Sequence, residues 1–263
     1  QARGAGGNVL ITGTGATGGT VGSTSYGIRI SQTDFYASST GTITLNGGTR
    51  GINPNVSGSR GTNSNNFGAA SGSTAGAVNF ITDAIYGISG DAVNLRATTV
   101  SVTPSSDSFT SAQSIPYSGW AFSGVNGFTV GKSTNTKDIT ASAVNVGGPI
   151  SYIGGNITLS DNQTASSSGA AFSAKASGFI QLADSKKIGT NGGRIILWAD
   201  SDSTNGGNVR LLNASTLCSV PSPSTCSGTV SGVTGGGDII IGGQAAATDT
   251  AIPAGYATAL TTA

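Results

Sequence analysis

The chain contains no histidine, no methionine and no glutamate, and its 11 acidic residues are all aspartate. Charge of either sign is scarce: 9% of the 263 residues are charged and the formal net charge is +1. Each absence excludes something. Glu and Lys populate exposed helix faces, and Met and Leu fill helix cores, so their scarcity argues against a helical protein. Without histidine, a serine nucleophile lacks its usual base. Two cysteines cannot complete a Cys-only metal site, and no histidine can supplement them. No cofactor, metal site or catalytic residue is therefore assigned. A near-neutral chain has no basic patch to neutralise phosphates, so nucleic acid is not expected as a partner. The apolar runs, about four or five residues at most, are too short to span a bilayer. No charged segment followed by an apolar stretch opens the chain, so a signal peptide is absent or already removed.

What the chain does have is 43 Gly, 37 Ser and 34 Thr, with 36% apolar residues. Disorder normally couples low hydrophobicity to high net charge. Here the charge is near zero, and Val, Ile, Leu and Phe fall in short groups. That grouping predicts an all-β fold of many short strands joined by small-residue turns.

One pattern recurs: GGNVLI at 6–11, TGTITL at 40–45, GDAVNL at 90–95, KDITAS at 137–142, GGNITL at 154–159, GGRIIL at 192–197, GGNVRL at 206–211 and GGDIII at 236–241. Apolar residues alternating over four to six positions have the strand period. The Gly-Asn and Gly-Asp pairs supply the positive φ of tight turns. SYGIRI at 25–30 is a second unit, echoed weakly at 86–90. The spacing between repeats is irregular, which suits neither a propeller nor a sandwich. A parallel β-solenoid accommodates it, because each coil needs only short strands in register while its corners bulge as loops. At about 20 to 25 residues per coil, the chain predicts about 11 to 13 coils and a rod of roughly 50 to 60 Å. Thr favours strands and can stack hydroxyls on the outer face. Asn at turns can form amide ladders from coil to coil.

Residues 100–130 differ. They hold Phe109, Tyr117, Trp120, Phe122 and Phe128, an aromatic-rich insertion expected to cover one side of the rod; an aromatic binding platform is the sharper alternative. Cys218 and Cys226 flank a Pro/Ser loop and read as a local disulfide, against the alternative of two free thiols. A disulfide places the chain outside the cytoplasm.

Chemistry has few candidates. Asp200 and Asp202 are two apart in ADSDSTNGG, so on a strand they would share a face, whereas the turn-like context suggests a loop. With Asp184, and with Arg194 or Lys186 as the base, they imitate the carboxylate cluster of a Ca²⁺-dependent polysaccharide lyase. The plain alternative is Asp and Ser capping turns through backbone amides. GTGATGG at 13–19 contains G-x-G-x-x-G, but the helix that a nucleotide site needs does not follow. GGGDIII at 235–241 is a lone echo of a Ca²⁺-binding nonapeptide.

GGNITL, FTVGKSTNTKDITAS, GPISYIGGNITL and RIILWADSDSTNGGNV together resemble the haemagglutinin-like repeat regions of large bacterial exoproteins, the filamentous haemagglutinin and two-partner-secreted adhesin group. The likeness runs from about residue 6 to 245. It implies a single-stranded right-handed parallel β-helix, secretion or surface display, and an adhesive or stalk role, with no catalytic motif to transfer. The expectation is one continuous β-solenoid over 1–263 with bulged loops, a segment of a longer protein. It would be a non-enzymatic structural or adhesive rod, secreted or at the cell surface, able to self-assemble head to tail into filaments. Its ligands would be host or bacterial surface glycans or proteins, bound in loops 46–75 and 103–128. The alternatives are a carbohydrate-active β-helix enzyme, a lyase or hydrolase, and an ice-binding solenoid, which requires a T-x-T ladder in every coil.

Overall fold

The computed structural model describes residues 2–4, 7–13, 26–30, 33–54, 64–69, 74–86, 92–117, 119–204, 206–220, 235–244 and 255–256. These residues form 25 strands and no helix. Every strand pairing is parallel except that of Gly255–Tyr256 with Ile239–Gly243.

GGRIIL shows how the sequence writes one coil. Gly192 has φ 76°, and a Cβ on Gly193 would lie 1.9 Å from the Ala170 carbonyl oxygen one coil away. Glycine is needed at the first position for its backbone angle and at the second for its closeness. In the strand that follows, Ile195–Trp198, the side chains of Ile195 and Leu197 are fully buried, whereas Ile196 between them is half-buried. Asp200, at φ 50°, then turns the chain out of the strand.

Successive strands cycle through three positions, so the fold is a parallel β-helix with three faces. The central face stacks Val9–Thr12, Thr42–Gly48, Ala75–Thr82, Ala92–Thr103, Phe128–Val130, Ile150–Gly154, Phe172–Ala176, Ile195–Trp198 and Ile239–Gly243. A first lateral face begins with Ala2–Gly4, Asp34–Ala37 and Ser64–Gly68. It then takes in the front half of Ala92–Thr103, followed by Trp120–Ser123. In later coils its place is held by Val144–Val146, Gln163–Ser168, Lys187–Asn191 and Thr216–Cys218. The second lateral face carries Ile28–Arg29 and Ile52–Asn53. Further along it come Gln113–Ser114, Ile139–Ala141, Ile157–Leu159, Ile180–Leu182 and Val209–Leu211.

The core is a pair of in-register columns. Ile43, Val78, Val100, Phe128, Ile150, Phe172 and Ile195 stack in one, each at most 1% exposed. Leu45, Phe80, Val102, Val130, Tyr152, Ala174 and Leu197 stack in the other. Burying one such aliphatic or aromatic side chain contributes about 1.5 to 3 kcal/mol. Outward positions carry the polar stacking that the composition suggests: Ser101 Oγ donates to Asn79 Oδ1 (2.8 Å) and Ser173 Oγ to Ser151 Oγ (3.2 Å).

All eight repeat segments contain strands, but not on one face. Those at 6–11, 40–45, 192–197 and 236–241 lie on the central face. Those at 137–142, 154–159 and 206–211 lie on the second lateral face. One coil can therefore contain two copies of the pattern, which is why the spacing looked irregular. The coil count also differs from expectation. Nine strands stack centrally among the described residues, a rod of roughly 38 Å. Phe128, Ile150, Phe172 and Ile195 succeed one another at 22 or 23 residues. Val9 to Ile43 takes 34 residues, and Ile195 to Ile239 takes 44, yet each pair lies on adjacent strands.

Phe122 of the aromatic stretch is partly buried against the core. Phe109, Tyr117, Trp120 and Phe128 are buried within the core, with Trp120 5.7 Å from Phe80 and 6.4 Å from Phe128 between ring centroids. No helix among the described residues is long and apolar enough to cross a membrane.

Candidate functional site

A groove of about 410 Å³ follows the corner between the central and second lateral faces. Asp107, Thr134, Thr136, Ile153, Lys175 and Asp202 line it, drawn from five successive coils. Hydrogen bonds tie each level to the next. Thr134 Oγ1 donates to the Asp107 carbonyl at 2.5 Å. The buried Asn135 accepts from Ser108 Oγ (2.8 Å) and donates to the Ile153 carbonyl (3.0 Å). Ile153 is in register with Lys175, and Lys175 with Trp198. The Lys175 ammonium lies 4.0 Å from the centroid of the Trp198 ring, a cation–π contact that fixes it in the wall. The Trp198 indole N–H donates to the Gln244 carbonyl at 2.6 Å.

Asp200 and Asp202 part company here. The corner is pinned by Asp200 N–H donating to the Gly178 carbonyl (3.1 Å) and Ser201 N–H to the Ala176 carbonyl (3.0 Å). Positive φ at Asp200 and Ser203 breaks strand alternation, so residues two apart no longer share a face. Asp200 is 8% exposed, and its carboxylate accepts from Gly206 N–H at 3.4 Å. Asp202 lines the groove, and its carboxylate accepts from Thr204 N–H and Oγ1 at 3.3 and 3.0 Å. Both acids thus cap their own turn, and Asp202 also presents itself to the groove beside Lys175.

The lyase-like set is not assembled. Lys186 binds Asp161 at 2.8 Å, and Arg194 sits 4.0 Å from Asp238 on the central face. Among the described residues no three of His, Cys, Asp or Glu are grouped as metal ligands. Asp107 and Asp202 stand four coil steps apart, roughly 19 Å of backbone, whereas the carboxylates of a glycosidase lie about 5 to 9.5 Å apart. The groove lines up hydroxyl, amide and charged side chains in steps along the rod axis. It holds no two carboxylates at glycosidase separation.

Cys218 is engaged in a disulfide; Cys226 lies outside the described residues, as do residues 14–19 of GTGATGG. Of the expected binding loops, 55–63 and 70–73 are also outside them. Ser64–Gly68 is strand, and Asp107 belongs to the 103–128 stretch. Lys175 and Thr134 were not singled out in the sequence. The available signal was weak: Lys175 is a charge on an outward position of the alternating strand FSAKA. No protein-family model, no curated protein and no solved structure matches this chain.

Proposed function

We propose that the chain is a non-enzymatic stalk or adhesive rod of a bacterial surface or secreted exoprotein, as the resemblance to haemagglutinin-like repeats implies. The observation that carries this reading is the stack itself. Nine parallel strands share one continuous apolar column behind an outer surface of hydroxyls, amides and little charge. Such a fold converts sequence into length, with each coil contacting only its neighbours. The disulfide at Cys218 supports an oxidising, extracellular setting. Ile239 and Leu211 continue inward columns from Ile195 and Leu182, yet each is 44% exposed. A further coil, of this chain or of a second copy, would bury them. Electron microscopy of the purified chain tests this. Rods that lengthen into filaments with concentration are expected; short rods of one length at every concentration refute assembly, and compact particles refute the stalk.

The meeting of Asp202 with Lys175 in one groove favours a second reading, a carbohydrate-active β-helix. Turnover of acidic polysaccharide, with or without Ca²⁺, that disappears in Asp202→Ala would establish it over the first.

A further inference from the structure

A second groove, of about 320 Å³, lies on the first lateral face toward the amino-terminal end. Two outward rows of that sheet build it. The first row is an amide ladder. Asp34, Asn66 and Asn94 occupy one register position on successive strands. Asn94 Nδ2 donates to Asn66 Oδ1 at 2.8 Å, and Asn66 Nδ2 to Asp34 Oδ1 at 2.6 Å. Every donor points toward the carboxylate, so each bond polarises the next. On the following strand the same position is Ala121, which cannot continue the ladder. The Asn94 amide lines the groove there, with an Oδ1 to which no described residue donates.

The second row is Tyr36, Gly68, Arg96 and Ser123. Gly68 has φ 130°, and a Cβ on it would lie 1.8 Å from the Arg96 carbonyl oxygen, so no side chain can occupy this step. Tyr36 and Arg96 therefore stand two strand steps apart, roughly 9.6 Å, across a bare glycine floor. The Arg96 side chain is half-buried and makes no ion pair among the described residues. Its guanidinium is a planar fork of five donors whose best partner is a carboxylate. Phe122, packed on the core, supplies an apolar wall.

We propose that this groove binds an acidic sugar, a uronic-acid unit of a polysaccharide. Arg96 takes the carboxylate, the ring lies against Tyr36 over Gly68, and ring hydroxyls donate to Asn94 Oδ1 and Ser123. A ligand here must bring three things together: an anion for Arg96, hydroxyl donors for the acceptor beside it, and a face that tolerates an aromatic ring. Inorganic phosphate or sulfate brings only the first. The inference rests on the adhesive half of the function proposed above and names its ligand class; the stalk half stands without it.

Titration calorimetry of the full chain with a galacturonic-acid trisaccharide, against the neutral galactose trisaccharide, tests the site. Saturable binding of the acid is expected, with the neutral sugar at least about tenfold weaker. Arg96→Gln should weaken binding of the acid by about tenfold or more. Ala121→Asn should extend the ladder into the groove and abolish binding. Thermal melts monitored by circular dichroism confirm that each variant is folded, and Ala121→Asn carries the test if Arg96→Gln is not. No binding of the acid, equal binding of acid and neutral sugars, or unchanged binding in the folded variants would overturn the proposal. Imaging the same sample separates the two failures: rods that ignore the acid sink the site alone, and compact particles sink the stalk.

Discussion

At the scale of single residues, one polar pair deep in the rod shows how a buried group finds its partner. Tyr152 sits fully buried in the second core column, and its hydroxyl donates to Gln163 Oε1 at 2.8 Å. Gln163, equally buried, donates to the Ser142 and Asp161 carbonyls at 2.8 and 3.0 Å. Burial pushes the Tyr152 phenol well above its ordinary value, so it remains a neutral donor. Tyr152→Phe keeps the ring and strands the Gln163 carbonyl in the core. Urea denaturation should show a loss of about 1 to 3 kcal/mol; a loss near zero would mean that Gln163 finds another donor. Little of this was legible beforehand. SYIGG and DNQTAS give no sign that a tyrosine and a glutamine eleven positions apart will meet. For the same reason Asp200 and Asp202 looked equivalent. Which one turns inward depends on a positive φ at Asp200, set by the coil stacked against it.

At the scale of strands, the local text was far more informative. Gly-Gly followed by alternating apolar residues marks strands because the glycines perform geometric tasks that no other residue can. Gly193→Ala would drive a methyl group to 1.9 Å from the Ala170 carbonyl oxygen. That contact forces neighbouring coils apart and should cost more than the roughly 1 to 3 kcal/mol typical of an overpacked core. Gly206→Ala, where a Cβ meets nothing within 4 Å, is the control and should change stability by less than about 0.5 kcal/mol. Thermal unfolding of the pair checks both. The face on which each strand lands was not legible. GGNITL and GGRIIL read alike, yet Ile157–Leu159 lies on the second lateral face and Ile195–Trp198 on the central one. Corner length, not strand text, decides that assignment. The aromatic stretch shows no strand period for a related reason. Phe109, Trp120 and Phe128 have no even period because they reach the core from a loop and from two different faces.

At the scale of the whole molecule, the poverty of charge sets the response to pH. The chain has no histidine, the side chain that ordinarily titrates between about pH 5 and 8. The Asp161 carboxyl is held below its ordinary value of 3.8, chiefly by the hydrogen bond from the Lys186 ammonium. A carboxyl depressed on folding stabilises the native state above its unfolded pKa and loses that contribution as pH falls through the folded value. Melting temperature should therefore be flat from about pH 5 to 7 and fall on the acid side of about pH 4. Asp161→Asn should lower stability at neutral pH by a few tenths of a kcal/mol at most, because both partners are at least a third exposed. The difference should vanish in acid. A large change between pH 5 and 7 would point to a titrating group that these residues do not explain.

Amino-acid text alone was enough for the class of structure: short parallel-type strands, glycine corners, and a rod rather than a globule. These follow from propensities and periodicities that act within a few residues. Stacking in three dimensions set the number of coils, the sorting of similar segments onto three faces, and the two grooves. Each of those depends on which residues come to lie 4.8 Å apart after corners of unequal length. Lys175 and Asp202 line one groove, and Arg96 faces Tyr36 across Gly68, only because the stacking register brings distant parts of the chain onto neighbouring coils.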